Sequence, residues 1–224
     1  MSFKFKFHKL YKEFMFSDFM KPYDVKNERE AEYPADTIFI DRWSPRSLSP
    51  DLSDKELMIL FEAARWTPSS NNGQPWRFLY AKNGTEEWNV FYDLLGDFNK
   101  IWCKNAAYLI VLLSRKNFEA EGDEKEEFDR HHSFGAGSAW MSLALQAKMK
   151  GWIAHGMAGF DADKTRKVLE IPDNYHVDCM IAVGKQGEIE KSIPERMQKY
   201  EKPYDRKKVK DIAYKCKFPR DKWK

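Results

Sequence analysis

The apolar run Ala107-Tyr108-Leu109-Ile110-Val111-Leu112-Leu113 limits the fold more than any other stretch. Successive strand residues point to opposite faces, and here both faces are apolar, so the run reads as a central strand. Arg77–Ala81 and Val177–Val183 are further strand-like runs, the second ending at Gly184. Helical signals lie between them. Ser53-Asp54-Lys55-Glu56 is a capping box, and Leu57, Leu60, Phe61 and Ala64 mark one helical face behind it, ended by Pro68. Ser133–Lys150 reads as a long helix stopped by Gly151. Ala136, Ala139, Trp140, Leu143, Ala144 and Ala147 make it apolar over much of its circumference, which buries it centrally or between subunits. Ala154–Phe160 reads as a loop into a short helix that starts at Asp161 and closes before Pro172. Together these elements make an α+β fold: one domain over residues 37–224, with a polar, basic tail from Pro194. Residues 1–36 form an extension broken at Tyr33-Pro34.

Charge and cysteine usage exclude several classes. The net charge of +3 is a small difference between 38 basic and 35 acidic side chains, which gives no basis for nucleic-acid binding. Cys103, Cys179 and Cys216 are widely spaced, with no CxxC pair. Reduced thiols in a cytoplasmic protein are expected, rather than a zinc site or a disulfide framework. No apolar stretch is long enough to span a bilayer, and the N-terminus lacks a signal-peptide core. Phe3–Phe7 alternates rings and charges, and Leu10, Tyr11, Phe14 and Phe19 fit an amphipathic helix. An arm packed on the protein or on a second subunit is expected there, with a membrane-surface segment as the alternative. Aromatic residues make up 15% of the chain, including eight tryptophans and sixteen phenylalanines, so flat rings should build its core or a pocket. Glu119, Glu121, Asp123, Glu124, Glu126, Glu127 and Asp129 mark Phe118–Asp129 as a solvated insertion.

Four clusters are candidates for chemistry. Pro68-Ser69-Ser70-Asn71-Asn72-Gly73-Gln74-Pro75-Trp76 suits neither helix nor central strand and is held between two structured segments. It is a binding loop or an ordinary surface turn. Arg42-Trp43-Ser44-Pro45-Arg46 spaces two guanidinium forks around a serine, suited to bidentate phosphate contacts or to solvated ion pairs. Gly156-Met157-Ala158-Gly159-Phe160-Asp161 lets a ligand approach the backbone, or simply enters a helix that Asp161 caps. Asp205-Arg206-Lys207-Lys208 is a site or a solvated charge run. There is no dinucleotide fingerprint, P-loop or HExxH helix. The adjacent His131 and His132 cannot share a helical face, so no metal site is expected.

In this order the clusters resemble the FMN-dependent nitroreductase family, from about Thr37 to Phe218. The likeness is carried by Arg42-Trp43-Ser44-Pro45-Arg46 and by Pro68-Ser69-Ser70-x-Asn72-x-Gln74-Pro75-Trp76. Asn99 with Trp102, Gly156–Asp161, Ala182-Val183-Gly184-Lys185 and Glu201-Lys202-Pro203-Tyr204-Asp205-Arg206-Lys207 complete it. The resemblance implies a three-layer α/β/α fold with a central, mainly antiparallel sheet, in an intertwined homodimer with FMN at the subunit interface. It implies that Arg42, Ser44 and Arg46 hold the phosphate, ribityl chain and pyrimidine edge, with Arg206 at the phosphate and Asn99 at the pyrimidine edge. Pro68, Ser69, Ser70 and Asn72 would arrive from the other subunit, and the backbone of Ala158 and Gly159 would face the flavin N5. Trp43, Gln74 and Met157 lie within the same motifs and complete the cofactor-binding set.

No catalytic side chain is required, because the cofactor performs the hydride transfer. The implied activity is ping-pong: NAD(P)H as co-substrate reduces FMN, which then reduces a small-molecule acceptor such as a nitroaromatic or quinone. A non-catalytic flavin-binding or sensory protein, and a reductive dehalogenase-like relative, are the alternatives. Gly135 stands where close relatives often carry an acidic residue, and Lys208 replaces a frequent proline. The arm is expected to wrap the partner subunit.

Overall fold

The computed structural model describes Val25 and residues 28–119 and 126–219. The expected Phe3–Phe7 alternation, the helix around Leu10–Phe19 and the centre of the acidic segment lie outside those residues. The chain opens with α1 (Thr37–Asp41), where the Asp36 carboxylate accepts from the Ile38 N–H at 2.9 Å. Next come β1 (Leu48–Ser49) and α2 (Asp54–Arg65). The capping box forms at α2: the Glu56 N–H donates to Ser53 Oγ at 3.3 Å and the Ser53 N–H to Glu56 Oε2 at 2.8 Å. Such a cap is worth about 1 kcal/mol. Leu57 and Leu60 behind it are fully buried, each contributing roughly 1.5–3 kcal/mol.

A 3-10 turn, Ser70–Asn72, leads into β2 (Trp76–Lys82). Two helices follow, α3 (Glu86–Asp93) and α4 (Asp97–Cys103), and then β3 (Tyr108–Arg115). β4 (Asn117–Glu119) and β5 (Glu126–Phe128) pair as a separate antiparallel ribbon at the flanks of the acidic segment. Not all of that segment is solvated. Asp129 is buried, and its carboxylate accepts from the His131 N–H at 2.8 Å, just ahead of α5 (His132–Met149). The remaining elements are β6 (Trp152–Met157), α6 (Ala162–Val168), β7 (Tyr175–Gln186), two one-turn helices, α7 (Ile189–Ser192) and α8 (Glu195–Gln198), and a 3-10 turn at Val209–Asp211.

The sheet is organised on β7. Along Tyr175–Val183 it pairs with β3, which pairs with β2 on its other edge. Where β3 leaves off, β1 takes over at Lys185 and Gln186, and β6 runs along the opposite edge. Every described pair is antiparallel. Alternation along β3 then builds two cores. Leu109, Val111 and Leu113 meet Trp88 and Phe91 of α3 and Trp102 of α4, while Tyr108, Ile110 and Leu112 meet α2 and α5. The result is a three-layer α/β/α arrangement around an antiparallel sheet.

Two expectations need correction. Residues 154–157 are the end of a strand, not a loop. Ile153 and Met157 enter one core and Ala154 the other, a period-2 pattern hidden by His155-Gly156, which resembles a turn. The last strand also runs past Gly184 to Gln186. A Cβ at Gly184 would stand 2.6 Å from the Ser49 carbonyl oxygen, so glycine there admits β1 to the sheet instead of ending the strand.

Gly184→Ala should therefore push β1 away and cost about 1–3 kcal/mol. The expected result is a fall in melting temperature of roughly 2–4 °C per kcal/mol in a calorimetric scan. An unchanged melting temperature would show that the close approach is not a constraint.

Candidate functional site

Three segments from distant parts of the chain converge beyond the β1 end of the sheet. The first, residues 42–47, is clasped by the tail. The buried Glu201 carboxylate oxygen Oε1 accepts from the Arg46 N–H, the Ser47 N–H and Ser47 Oγ, each at 2.7 Å. Three donors on one oxygen fix the backbone that carries Arg42, Ser44 and Arg46. The second segment is the start of α4. Asn99 Nδ2 donates to the Gly159 carbonyl at 2.9 Å, and Trp102 Nε1 donates to Asn99 Oδ1 at 3.2 Å. The third is the end of β6 and the turn after it. A Cβ at Gly159 would lie 2.8 Å from Asn99 Nδ2, so the bridge between these two segments needs glycine.

A cleft of about 440 Å³ opens among Phe98, Asn99, His155, Met157, Ala158 and Gly159. The Arg46 guanidinium lies 5.8 Å from the centre of the Phe98 ring. His155 packs on Trp102 with ring centres 4.5 Å apart, and its Nδ1 is 2.9 Å from the Pro45 carbonyl. A carbonyl only accepts, so Nδ1 carries the proton, and in the neutral ring Nε2 is an acceptor. Burial drives the His155 pKa down to about 4. The Pro45 hydrogen bond works against that shift, and the Arg46 and Arg42 charges reinforce it.

Positive charge gathers next to the cleft. Arg42 is pushed below its ordinary pKa by burial and then by the charge of Arg206. The buried Nε atoms of Arg42 and Arg46 have no hydrogen-bond partner among the described residues. Arg42 Nη1 reaches Ser44 Oγ at 3.4 Å, and Arg206 Nη1 donates to the carbonyls of Tyr204 and Asp205 at 2.9 and 3.0 Å. Trp43, between Arg42 and Ser44 in the sequence, is half-buried. Unspent donors beside a cleft suit an anionic, acceptor-rich ligand.

The loop at 68–74 stands apart from this group. Trp76 pairs with Ser114 and Ser114 with His176, whereas His155 pairs with Ala182. Six residues of β7 separate the two places, about 20 Å at ~3.3 Å per residue. Pro68, Ser70, Asn72 and Gln74 are exposed, and Ser69 Oγ accepts from the Gln74 N–H at 2.9 Å. Asn71, Asn72 and Gln74 hold φ of 48°, 54° and 43°, three left-handed residues without a glycine among them. Such strain concentrates at functional sites.

Among the sequence-derived candidates, then, Asn99, Met157, Ala158 and Gly159 share one cleft, with Arg42, Ser44, Arg46 and Arg206 beside it. Pro68, Ser69, Ser70, Asn72 and Gln74 form a separate surface. Three participants escape the sequence patterns. Glu201 opens the tail motif, but nothing in that motif marks it as a clasp. His155 falls in a stretch that resembles a loop, and Arg29, which donates to the carbonyls of Ile40, Arg42 and Tyr204, falls in the extension.

A three-layer α/β/α fold with a cation-flanked cleft at one end of its sheet defines the class. The Nitroreductase family model matches residues 40–102 and 93–185, and the chain belongs to the nitroreductase family. A solved oxidoreductase containing FMN is 38% identical, with a TM-score of 0.80 over 85% of this chain and 96% of that one. MhqN of Bacillus subtilis, whose name places it provisionally among the NAD(P)H nitroreductases, is 38% identical over 88 residues. That match spans 38% of this chain and 39% of MhqN. Protein DrgA of Synechocystis is 28% identical over 182 residues, 68% of this chain and 84% of DrgA.

The depressed His155 pKa carries a pH signature. An unfolded imidazole takes up a proton near pH 6.5 and the folded one only near pH 4, so acid favours the unfolded chain across that window. His155 should contribute a stability loss of roughly 1–2 kcal/mol between those limits, allowing for the open side of the ring. Denaturant midpoints followed from pH 7 to 4 should fall less steeply for His155→Gln than for the wild type. Parallel curves would mean that His155 titrates normally.

Proposed function

We propose that the protein is an FMN-dependent oxidoreductase that carries electrons from NAD(P)H to small acceptors such as nitroaromatics and quinones, acting as a homodimer in the cytoplasm. The observation that carries this reading is the pair of buried Nε donors on Arg42 and Arg46, unpartnered among the described residues, beside the Asn99–Gly159 cleft. They match a ligand with a phosphate at one end and a ring edge rich in acceptors at the other. The likeness to an oxidoreductase containing FMN supports the same cofactor here. Bound FMN would supply a two-electron carrier between the nicotinamide and the acceptor.

The chain's own residues bind and orient. Arg42 and Arg206 would hold the phosphate, with Ser44 and Trp43 serving the ribityl chain. Arg46 and Asn99 would place donors at the pyrimidine edge, where donors favour negative charge on the ring. Met157, Ala158 and Gly159 bring backbone to the N5 side without an intervening side chain. Residues 37–224 form the cofactor-binding domain, and residues 1–36 are an extension on it.

The homodimer reading has its own support. Trp66 is 73% exposed, and it lines a surface cavity of about 510 Å³ with Met58, Ile59 and Gln146. Phe134 and Met149, at the two ends of α5, are also exposed, and large apolar groups in such numbers mark an interface. A second subunit laid on this face would bring its own Pro68, Ser69, Ser70, Asn72 and Gln74 to the first subunit's cleft. In this reading the cleft and the strained loop would be two halves of one site. Cys103, Cys179 and Cys216 are free thiols, in keeping with a reducing compartment.

The purified protein should be yellow. Under anaerobic conditions NADH or NADPH should bleach it, and a nitroarene or quinone should restore the colour. Flavin that stays oxidised with either nucleotide would make the protein a binder rather than an enzyme, and chains that take up no FMN would remove the flavin reading. Ser70→Trp should weaken FMN retention and the dimer together. A stable, FMN-loaded Ser70→Trp dimer would place the loop away from the interface.

A further inference from the structure

The described part of the N-terminal arm is bound to its own chain's tail, and one arginine does most of the binding. Arg29 Nε donates to the Tyr204 carbonyl at 2.8 Å, and its Nη1 donates to the carbonyls of Ile40 and Arg42 at 2.6 and 3.0 Å. Arg206 Nη1 also donates to the Tyr204 carbonyl, at 2.9 Å. Two guanidinium groups therefore share one oxygen, with the third, Arg42, on the residue whose carbonyl Arg29 holds. Glu32 adds to the attachment: its Oε2 accepts from the Val209 N–H at 2.7 Å, and Lys208 lies 3.5 Å from its Oε1.

We propose that Arg29 is a third cationic arm of the phosphate site, binding a phosphomonoester dianion together with Arg42 and Arg206. It rests on the flavin reading above, in which that dianion is the FMN phosphate. A plain staple between arm and tail needs donors to three carbonyls, which a neutral side chain could partly supply. It does not need a full charge placed against two others of the same sign. The cost of that placement is visible: Arg29 is pushed below its ordinary pKa by burial, then by Arg206 and Arg42, with Asp205 and Asp41 acting in the opposite direction. Two carboxylates facing three guanidinium groups leave a positive surplus, which favours an anion there. The three carbonyls fix the plane of the Arg29 fork, so little side-chain freedom is lost on binding. Arg29 thus makes the arm part of the site.

The test compares ligands that differ only in the phosphate. FMN and riboflavin are titrated into flavin-free wild type and Arg29→Gln. Arg29→Gln should weaken FMN binding about tenfold or more while leaving riboflavin unchanged, as expected for one charge-assisted hydrogen bond to phosphate. Its FMN affinity should also depend less on salt. Equal weakening of both flavins would make Arg29 a staple only, and unchanged affinity for both would remove it from the site; either result overturns the proposal. If wild type binds neither flavin, the flavin reading fails, and inorganic phosphate then decides on Arg29. Millimolar phosphate should raise the melting temperature of the wild type more than that of Arg29→Gln, and equal shifts would overturn the proposal. Should Arg29→Gln fail to fold, Arg29→Lys decides instead: it keeps the charge and loses the planar fork, so FMN binding should keep the wild-type salt dependence, and equal weakening of both flavins would overturn the proposal.

Discussion

Both edges of β7 are hydrogen-bonded, and most of the molecule's geometry descends from that. One edge is taken first by β3 and then by β1, and the other by β6. Backbone pairing fixes register to the residue, and a slip by one would exchange the two cores, sending Met180 and Ala182 to the α2/α5 side and Ile181 to the other. Register also fixes the site. It places His155 against Ala182 and Leu48 against Gln186, so the cleft and the arginine segment meet at the same end of the sheet. The strained loop belongs to the opposite end through Trp76 and Ser114. One strand therefore decides which candidate residues stand together within the chain and which stand apart.

Around that frame the site is assembled by a few polar bonds that span most of the chain. Glu201 holds residues 46 and 47, Asn99 holds Gly159, His155 holds Pro45, and Arg29 holds residues 40, 42 and 204. Each ties a stretch of backbone outside the regular elements to another part of the chain, so the ends of α4 and β6 that line the cleft are held together with the arginine segment. The polarity is also divided. A carboxylate serves the backbone amides of residues 46 and 47, while the Arg42 and Arg46 side chains keep buried Nε donors without acceptors among the described residues. Had Glu201 paired with a guanidinium instead, the site would be neutralised from within.

Much of this is legible in the sequence, and the parts that are not share a cause. The capping box at Ser53, the central strand at 108–115, the long helix to Met149 and the Asp161 cap are local patterns with local causes. The candidate motifs are legible because their residue types are unusual in themselves. By contrast, β6 resembles a loop because Gly156 is turn-like in isolation; pairing with β7 overrides that preference, and the Trp140 ring packs where a Gly156 side chain would be. Arg29, His155 and Glu201 act on partners 175, 110 and 155 residues away. No spacing rule reaches that far, and an arginine in a charged extension looks like any other.

The arm and the tail both end at the same few atoms, and this bears on how the site is completed. Tyr204 offers its carbonyl to Arg29 and Arg206 alike, so the tail cannot shift without moving two of the three cations. The arm cannot leave without releasing the carbonyls of residues 40 and 42. Cations crowded in this way repel one another, and a bound dianion turns the repulsion into mutual attraction to a common centre. Ligand binding and chain closure are then linked: whatever fills the anion site should also tighten the arm onto the tail. By the same linkage, fastening the arm to the tail through Glu32 should raise the affinity of the site for its anion. The described arm and tail segments would then be part of the binding equilibrium.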